Sequence, residues 1–285
     1  MNTNMISPEP LRLYKHTHVL IDRIFYPDPP ASWQAEPVVN SVLKPQAELY
    51  PWLVELENLD VEETENLTTL IRSSDNLPAT MLFHSDYRGQ SLIQCLADLL
   101  IFQQHYTGKR YLLRYYDSRV FIQLVRMFTH AQLRNFCSRA GVNFFSWIDS
   151  AGGATFIPFD KSAITEGISS ETCRRILNAG IINTVIQQHS KLADLNEFIV
   201  LSDCVENLID IATLQLGMTD RNDIIAFATK GLNYHHQFYL AKPIIELIEK
   251  TKYMPGLFSA EIDLLNKDCW VAICQYCQGN AEERE

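Results

Sequence analysis

Near residue 150 of this 285-residue sequence the hydrophobic periodicity changes, and that change limits what the chain can fold into. Before it, short apolar and β-branched runs alternate with stripes of helical period. Beyond it, the helical period continues almost without interruption. Residues 17–24 (THVLIDRI), 52–56 and 79–84 fit strands. Residues 90–106 place Leu92, Leu96, Leu99 and Gln103 on one helical line, with Ile93 and Leu100 beside it, and predict an amphipathic helix through Tyr106. Thr107-Gly108-Lys109 predicts a turn, because glycine ends a helix and tolerates positive φ. A strand over 110–116 follows, then a helix over 120–128 capped by Asp117 or Ser118, a helix to Phe136 capped by Thr129, and a strand over 143–148. Strands interleaved with helices predict an α/β (α+β) N-terminal lobe with one mixed sheet over residues 1–150.

The segment 150–153 (SAGG), with Pro158 beyond it, marks the expected lobe boundary. Residues 151–285 predict an all-α C-terminal lobe. Ser169 or Ser170 caps a helix whose Leu177, Ile181 and Val185 share a face. Leu201, Val205, Leu208, Ala212 and Leu216 form a second stripe ended by Gly217, and Asp220 with Asp223 resembles a capping box. Helices over 241–252 and 260–277 complete the lobe. Two lobes suit a length of 285 residues at roughly 100–200 per domain, and such a chain buries a core without disulfide or metal staples.

With 24 Lys plus Arg against 34 Asp plus Glu, the net charge is −10, which argues against a dedicated nucleic-acid binder. The distribution says more than the sum. Residues 1–150 carry 13 basic and 16 acidic side chains, and residues 151–285 carry 11 and 18. Within the first part, residues 36–65 hold eight acids and one Lys, while 109–139 hold seven basic residues and only Asp117. Such a dipolar lobe orients a partner as well as attracting it. The N-terminus lacks a basic stretch leading into an apolar one, and no window reaches the roughly 18 apolar residues of a membrane span. Seven scattered cysteines read as reduced thiols. A cytoplasmic protein with no membrane span is expected.

Nothing in the sequence assembles a catalytic constellation. Cys274-Gln-Tyr-Cys277, near Cys269, has no second ligand pair at zinc spacing and reads as thiols on a terminal helix. His235-His236 reads as a polar helix end, because adjacent helical residues point about 100° apart. His84-Ser85-Asp86 reads as a turn, since triad members converge from separate elements. Phosphate-cradling glycine motifs are missing. The expectation is a non-enzyme with no catalytic residues, no metal and no cofactor. What stands out is Arg114-Tyr-Tyr-Asp-Ser-Arg-Val120, where Asp117 can cap a helix and accept an arginine fork. Two readings stay open there: an internal ion-pair clasp, or a partner-facing arginine.

Four segments carry a resemblance: Val19-Leu20-Ile21-Asp22, Pro51-Trp52-Leu53-Val54-Glu55-Leu56, the run from Leu113 to Val120, and Trp147. In this order and spacing the stretch 16–150 resembles the adaptor chaperones of bacterial type VI secretion, whose domain was long catalogued as one of unknown function. Ser118 departs from the family's usual proline, although serine still caps a helix. The helical half resembles the family only in general shape, most in residues 219–239. The resemblance implies a cytosolic, non-catalytic adaptor that binds a toxic effector and helps load it onto the VgrG spike. It further implies that the motif-bearing lobe serves the common machinery and the helical lobe suits the cargo. The motif-matching residues are Asp22, Glu55, Arg114, Tyr116, Asp117, Arg119 and Trp147, mostly as scaffold, and Arg119 is the one expected to affect partner binding. The alternatives are a hydrolase around His84-Ser85-Asp86, or a nucleic-acid binder using 109–139 with Tyr111, Tyr115 and Tyr116 as stacking faces.

Overall fold

The computed structural model describes residues 6–8, 12–42, 50–73, 80–104, 107–149, 152–157, 168–189 and 195–282. Ala79, Tyr106, Ser150 and Pro158, named in the expectations above, lie outside these residues. The chain divides into two compact units, residues 1–176 with 193–195, and residues 177–192 with 196–285.

The first unit is built on a seven-stranded sheet with strands β1 (Ile6–Pro8), β2 (His18–Ile21), β3 (Glu36–Pro37), β4 (Trp52–Glu55), β5 (Thr80–Ser85), β8 (Val142–Asp149) and β9 (Gly152–Phe156). Their order is β1-β9-β8-β5-β2-β4-β3, and each pairing is antiparallel. The expected α/β lobe is therefore present, and its sheet is mixed in strand order while its neighbours run antiparallel. Helix α1 (Val61–Ser73) carries the chain from β4 across to β5, which flanks β2 on its other side. Its start is fixed locally. Asp60 Oδ1 accepts the Glu63 amide at 2.9 Å and Glu63 Oε2 accepts the Asp60 amide at 2.9 Å, a reciprocal cap.

Strand alternation sorts the core into two layers. Val19, Ile21, Val54 and Leu82 pack with Leu67 and Ile71 of α1 and with Trp33. On the other face Phe121, from helix α3 (Ser118–Met127), meets Phe145 at 4.8 Å, Phe156 at 5.3 Å and Trp147 at 5.9 Å between ring centres. Sandwiched this way, β2 is buried on both faces, so it shows as the continuous apolar run VLI and lacks alternation.

Three expectations in this unit need correction. The helix expected over 90–106 ends early: α2 spans Gly89–Leu99, and Ile101–Gln103 (β6) pairs with Arg110–Leu112 (β7). Gly108, at φ +66, makes the intervening turn with its amide on the Gln104 carbonyl, so hairpin pairing took residues whose spacing also suited a helix. The strand expected over 110–116 stops at Leu112, because the Tyr115 and Asp117 amides turn back onto the Leu113 and Arg114 carbonyls. Finally, the glycine-rich segment at 150–153 does not separate lobes. Gly152 and Gly153 pair with Asp149 and Ile148 inside the β8–β9 hairpin, and the division falls at Ile176 within α5 (Ser170–His189).

The second unit is helical, as expected: part of α5, then α6 (Leu195–Asp210), α7 (Arg221–Asn233), α8 (Lys242–Thr251), α9 (Leu257–Glu261) and α10 (Lys267–Glu282). A π-helical turn over Ile211–Gln215 extends α6, and Gly217, at φ +72, ends it. The helix expected over 260–277 is broken, because Asn266 Oδ1 accepts the Cys269 amide at 2.9 Å and starts α10 anew. Asp220 does cap α7, accepting the Asn222 and Asp223 amides. Asp223 does not complete a capping box; its buried carboxylate accepts the Gly256 amide at 2.7 Å and the Ser259 amide at 2.8 Å. Asp223→Ala would strand both donors, so a loss of about 2 kcal/mol is expected. Thermal denaturation of the variant measures it, and an unchanged midpoint would show that water replaces the carboxylate.

Candidate functional site: a clasped turn after strand β2

Asp22 follows β2 and ends it. Its Oδ1 accepts the Ile24 amide at 3.0 Å, and its carbonyl accepts the Phe25 amide at 3.2 Å and the Tyr26 amide at 3.0 Å. This is why the strand expected over 17–24 stops at Ile21: a short acidic side chain competes for the backbone donors. Asp22 is buried, and its second oxygen receives Arg114 Nη2 in an ion pair. The Arg114 guanidinium stands over the Tyr116 ring, 5.6 Å from its centre. Burial pushes the Tyr116 phenol above its ordinary pKa, so the ring stays neutral beside two carboxylates. Tyr115 is buried too, and its hydroxyl donates to the Leu96 carbonyl at 3.1 Å.

Asp117 begins α3. Its Oδ1 caps the Arg119 amide at 3.0 Å, and its two oxygens accept Arg119 Nε at 2.9 Å and Nη2 at 2.7 Å. The arginine fork therefore closes on its own turn, the internal clasp of the two readings left open by the sequence. Asp22, Arg114, Tyr116, Asp117 and Arg119 thus form one connected group.

Glu55 and Trp147 lie elsewhere. Glu55 pairs with His18 at the far end of the β2–β4 ladder from Asp22. There its Oε1 accepts the Gly89 amide at 3.3 Å, at the positive end of α2, and stands 3.7 Å from His18 Nε2. Trp147 belongs to the aromatic layer under α3. Sequence reasoning passed over two histidines at the Glu55 end. His18 is fully buried, stacks on Phe83 and lies 2.7 Å from Thr17 Oγ1. Nδ1 of His16 faces the Arg12 carbonyl at 3.0 Å, so it carries the proton, and Nε2 accepts from Ser146 Oγ at 2.8 Å. Their alternation, His-Thr-His ahead of VLI, was the available signal.

The other motifs hold structural positions. Ser85 Oγ donates to the Ala140 carbonyl at 2.7 Å and accepts the Tyr87 amide at 3.0 Å, the turn role expected of it. His235 and His236 stack on each other just past the end of α7. The seven cysteines are free thiols; Cys277 is buried and Cys269 exposed. Among the described residues no group of three or more His, Cys, Asp or Glu side chains could hold a metal ion. Nor is any helix there long and apolar enough to cross a membrane. In the basic segment, Arg114 and Arg119 are committed to carboxylates, Arg126 is buried against Gln123, and Tyr115 and Tyr116 are enclosed. Two of the three rings proposed for base stacking therefore cannot reach a base.

Residues 18–135 match the family model of a domain of unknown function, DUF4123. Comparison with curated proteins and with solved structures found no match. The DUF4123 span contains six of the seven motif residues and ends before Trp147. It opens on β2 and closes within α4 (His130–Ser138), so it includes both partners of the Asp22–Arg114 pair and the Asp117–Arg119 fork. Asp22 and Arg114, both inside the DUF4123 span, are thus 92 residues apart in the chain and in contact in the fold.

Proposed function

We propose that this chain is a non-catalytic cytosolic adaptor chaperone that binds a type VI secretion effector and helps load it onto the VgrG spike. The observation that carries the reading is the coincidence of the DUF4123 match with the three motif segments it encloses. The geometry supports it in one further respect: the polar residues of those segments are spent on clasping turns and capping helices, the work of a scaffold that holds a binding surface. In this reading the first unit serves the common machinery and the helical unit suits the cargo.

Co-expression of the tagged chain with a VgrG spike and with the effector encoded beside it tests the proposal. Capture of both is expected; capture of neither overturns it. Arg119→Ala is expected to weaken capture several-fold, by loosening the Asp117 cap and with it the register of α3. Unchanged capture by a folded Arg119→Ala protein would remove this residue from the binding surface.

A further inference from the structure

The clasp around Asp22 holds up something that packing alone does not account for. Ile24 and Phe25, at the tip of its turn, expose 51% and 59% of their surface although both are large and apolar. Exposed apolar residues are common singly, but here two adjoin on a turn fixed by three backbone hydrogen bonds to one buried aspartate. Flanking them, the Arg23 guanidinium lies over Trp52, 3.9 Å from the ring centre, and among the described residues it has no carboxylate partner. Trp52 is itself fixed, its Nε1 donating to the Pro27 carbonyl at 3.0 Å. On the inner side Tyr26 stacks on Trp33 and ties the turn to the core.

We propose that Ile24 and Phe25 form a preorganised apolar knob that inserts into a pocket of a protein partner, with Arg23 meeting carboxylates at the pocket rim. The charge argues for that partner chemistry, since the arginine beside the knob has no carboxylate partner among the described residues and an anionic rim is its complement. Rigidity argues for a knob, because a turn already held in one shape loses little conformational entropy on docking. Aromatic and arginine side chains side by side are also the usual composition of an interface hot spot. The inference rests on the adaptor reading for its probes and deepens it by assigning the contact residues.

The test uses the full chain and the same co-expressed spike and effector. Ile24→Ser combined with Phe25→Ser removes side chains that are about half exposed and leaves the Asp22 hydrogen bonds in place, so only a small shift of the denaturation midpoint is expected, with at least about a tenfold loss in capture of one of the two partners. Arg23→Glu is expected to weaken the same partner and to flatten the salt dependence of its binding. If the parent captures a partner and the double variant captures both equally well, the knob is wrong and the adaptor reading stands. Parent protein that captures neither partner overturns both. Equal binding by Arg23→Glu overturns the carboxylate rim. Binding of the parent to phosphatidylglycerol-containing vesicles, lost in the double variant, would assign the knob to a membrane surface and overturn the protein pocket.

Discussion

Arg114→Ala is expected to lower the unfolding free energy of the first unit by about 3–5 kcal/mol. The size comes from what is left behind. Asp22 is buried, and without Arg114, itself partly exposed, its outer oxygen loses its ion-pair partner. Tyr116, stacked under the guanidinium, loses its cation as well. Urea denaturation of parent and variant gives the difference directly. Asp22→Ala also removes the acceptor for Ile24, so the two single variants should not add. A double-mutant cycle with Asp22→Asn isolates the pair. A loss below about 1 kcal/mol would mean that the pair behaves like an exposed surface bridge.

Lowering the pH from about 7 to about 4 is expected to destabilise the first unit by up to about 3 kcal/mol through His18 alone. Burial holds the His18 imidazole down at about 4, against an ordinary 6.5, and the nearby Glu55 carboxylate opposes this only in part. Arg88 and His84 add to the depression from neighbouring elements. His16 is depressed in the same direction, first by burial, with His84 and Lys15 contributing. Between pH 6.5 and about 4 the unfolded chain therefore binds protons that the folded chain refuses. Stability is present above that window and lost as the pH falls through it; below about 4 this source adds nothing further. Urea denaturation at pH 7, 6 and 5 measures the slope, and a His18→Gln variant should show a flatter one. A variant that keeps the full slope would place the titration elsewhere.

Both effects arise from contacts that the sequence left invisible. Arg114 and Asp22 were each visible as motif residues, but nothing along the chain joined them; 92 residues separate a pair that the sheet brings together. The Asp117–Arg119 fork was legible, because a capping carboxylate and an arginine two residues on lie within reach of each other whatever the tertiary fold. The Asp60–Glu63 cap is local in the same way. The exposed pair Ile24-Phe25 was misplaced for a related reason. Its apolar first residue continued the β2 pattern, and only the hydrogen bonds to Asp22 show that the strand has already ended.

Periodicity by itself determined that the chain is an α/β lobe followed by helices, because burial of one helical stripe or one strand face writes a repeat into the sequence. Capping residues marked where α3, α4, α5 and α7 begin, since their partners are two or three positions away. Tertiary structure decided the rest. It ended α2 at Leu99 by pairing Ile101–Gln103 with Arg110–Leu112, and it drew Gly152–Phe156 into the sheet, moving the division between units to Ile176. It also turned Asp223 away from its own helix to cap α9. The Asp223 bonds join residues 33 and 36 positions apart, beyond the reach of any local propensity, while in the two hairpins the paired backbone bonds outweigh the few tenths of a kcal/mol by which propensities differ.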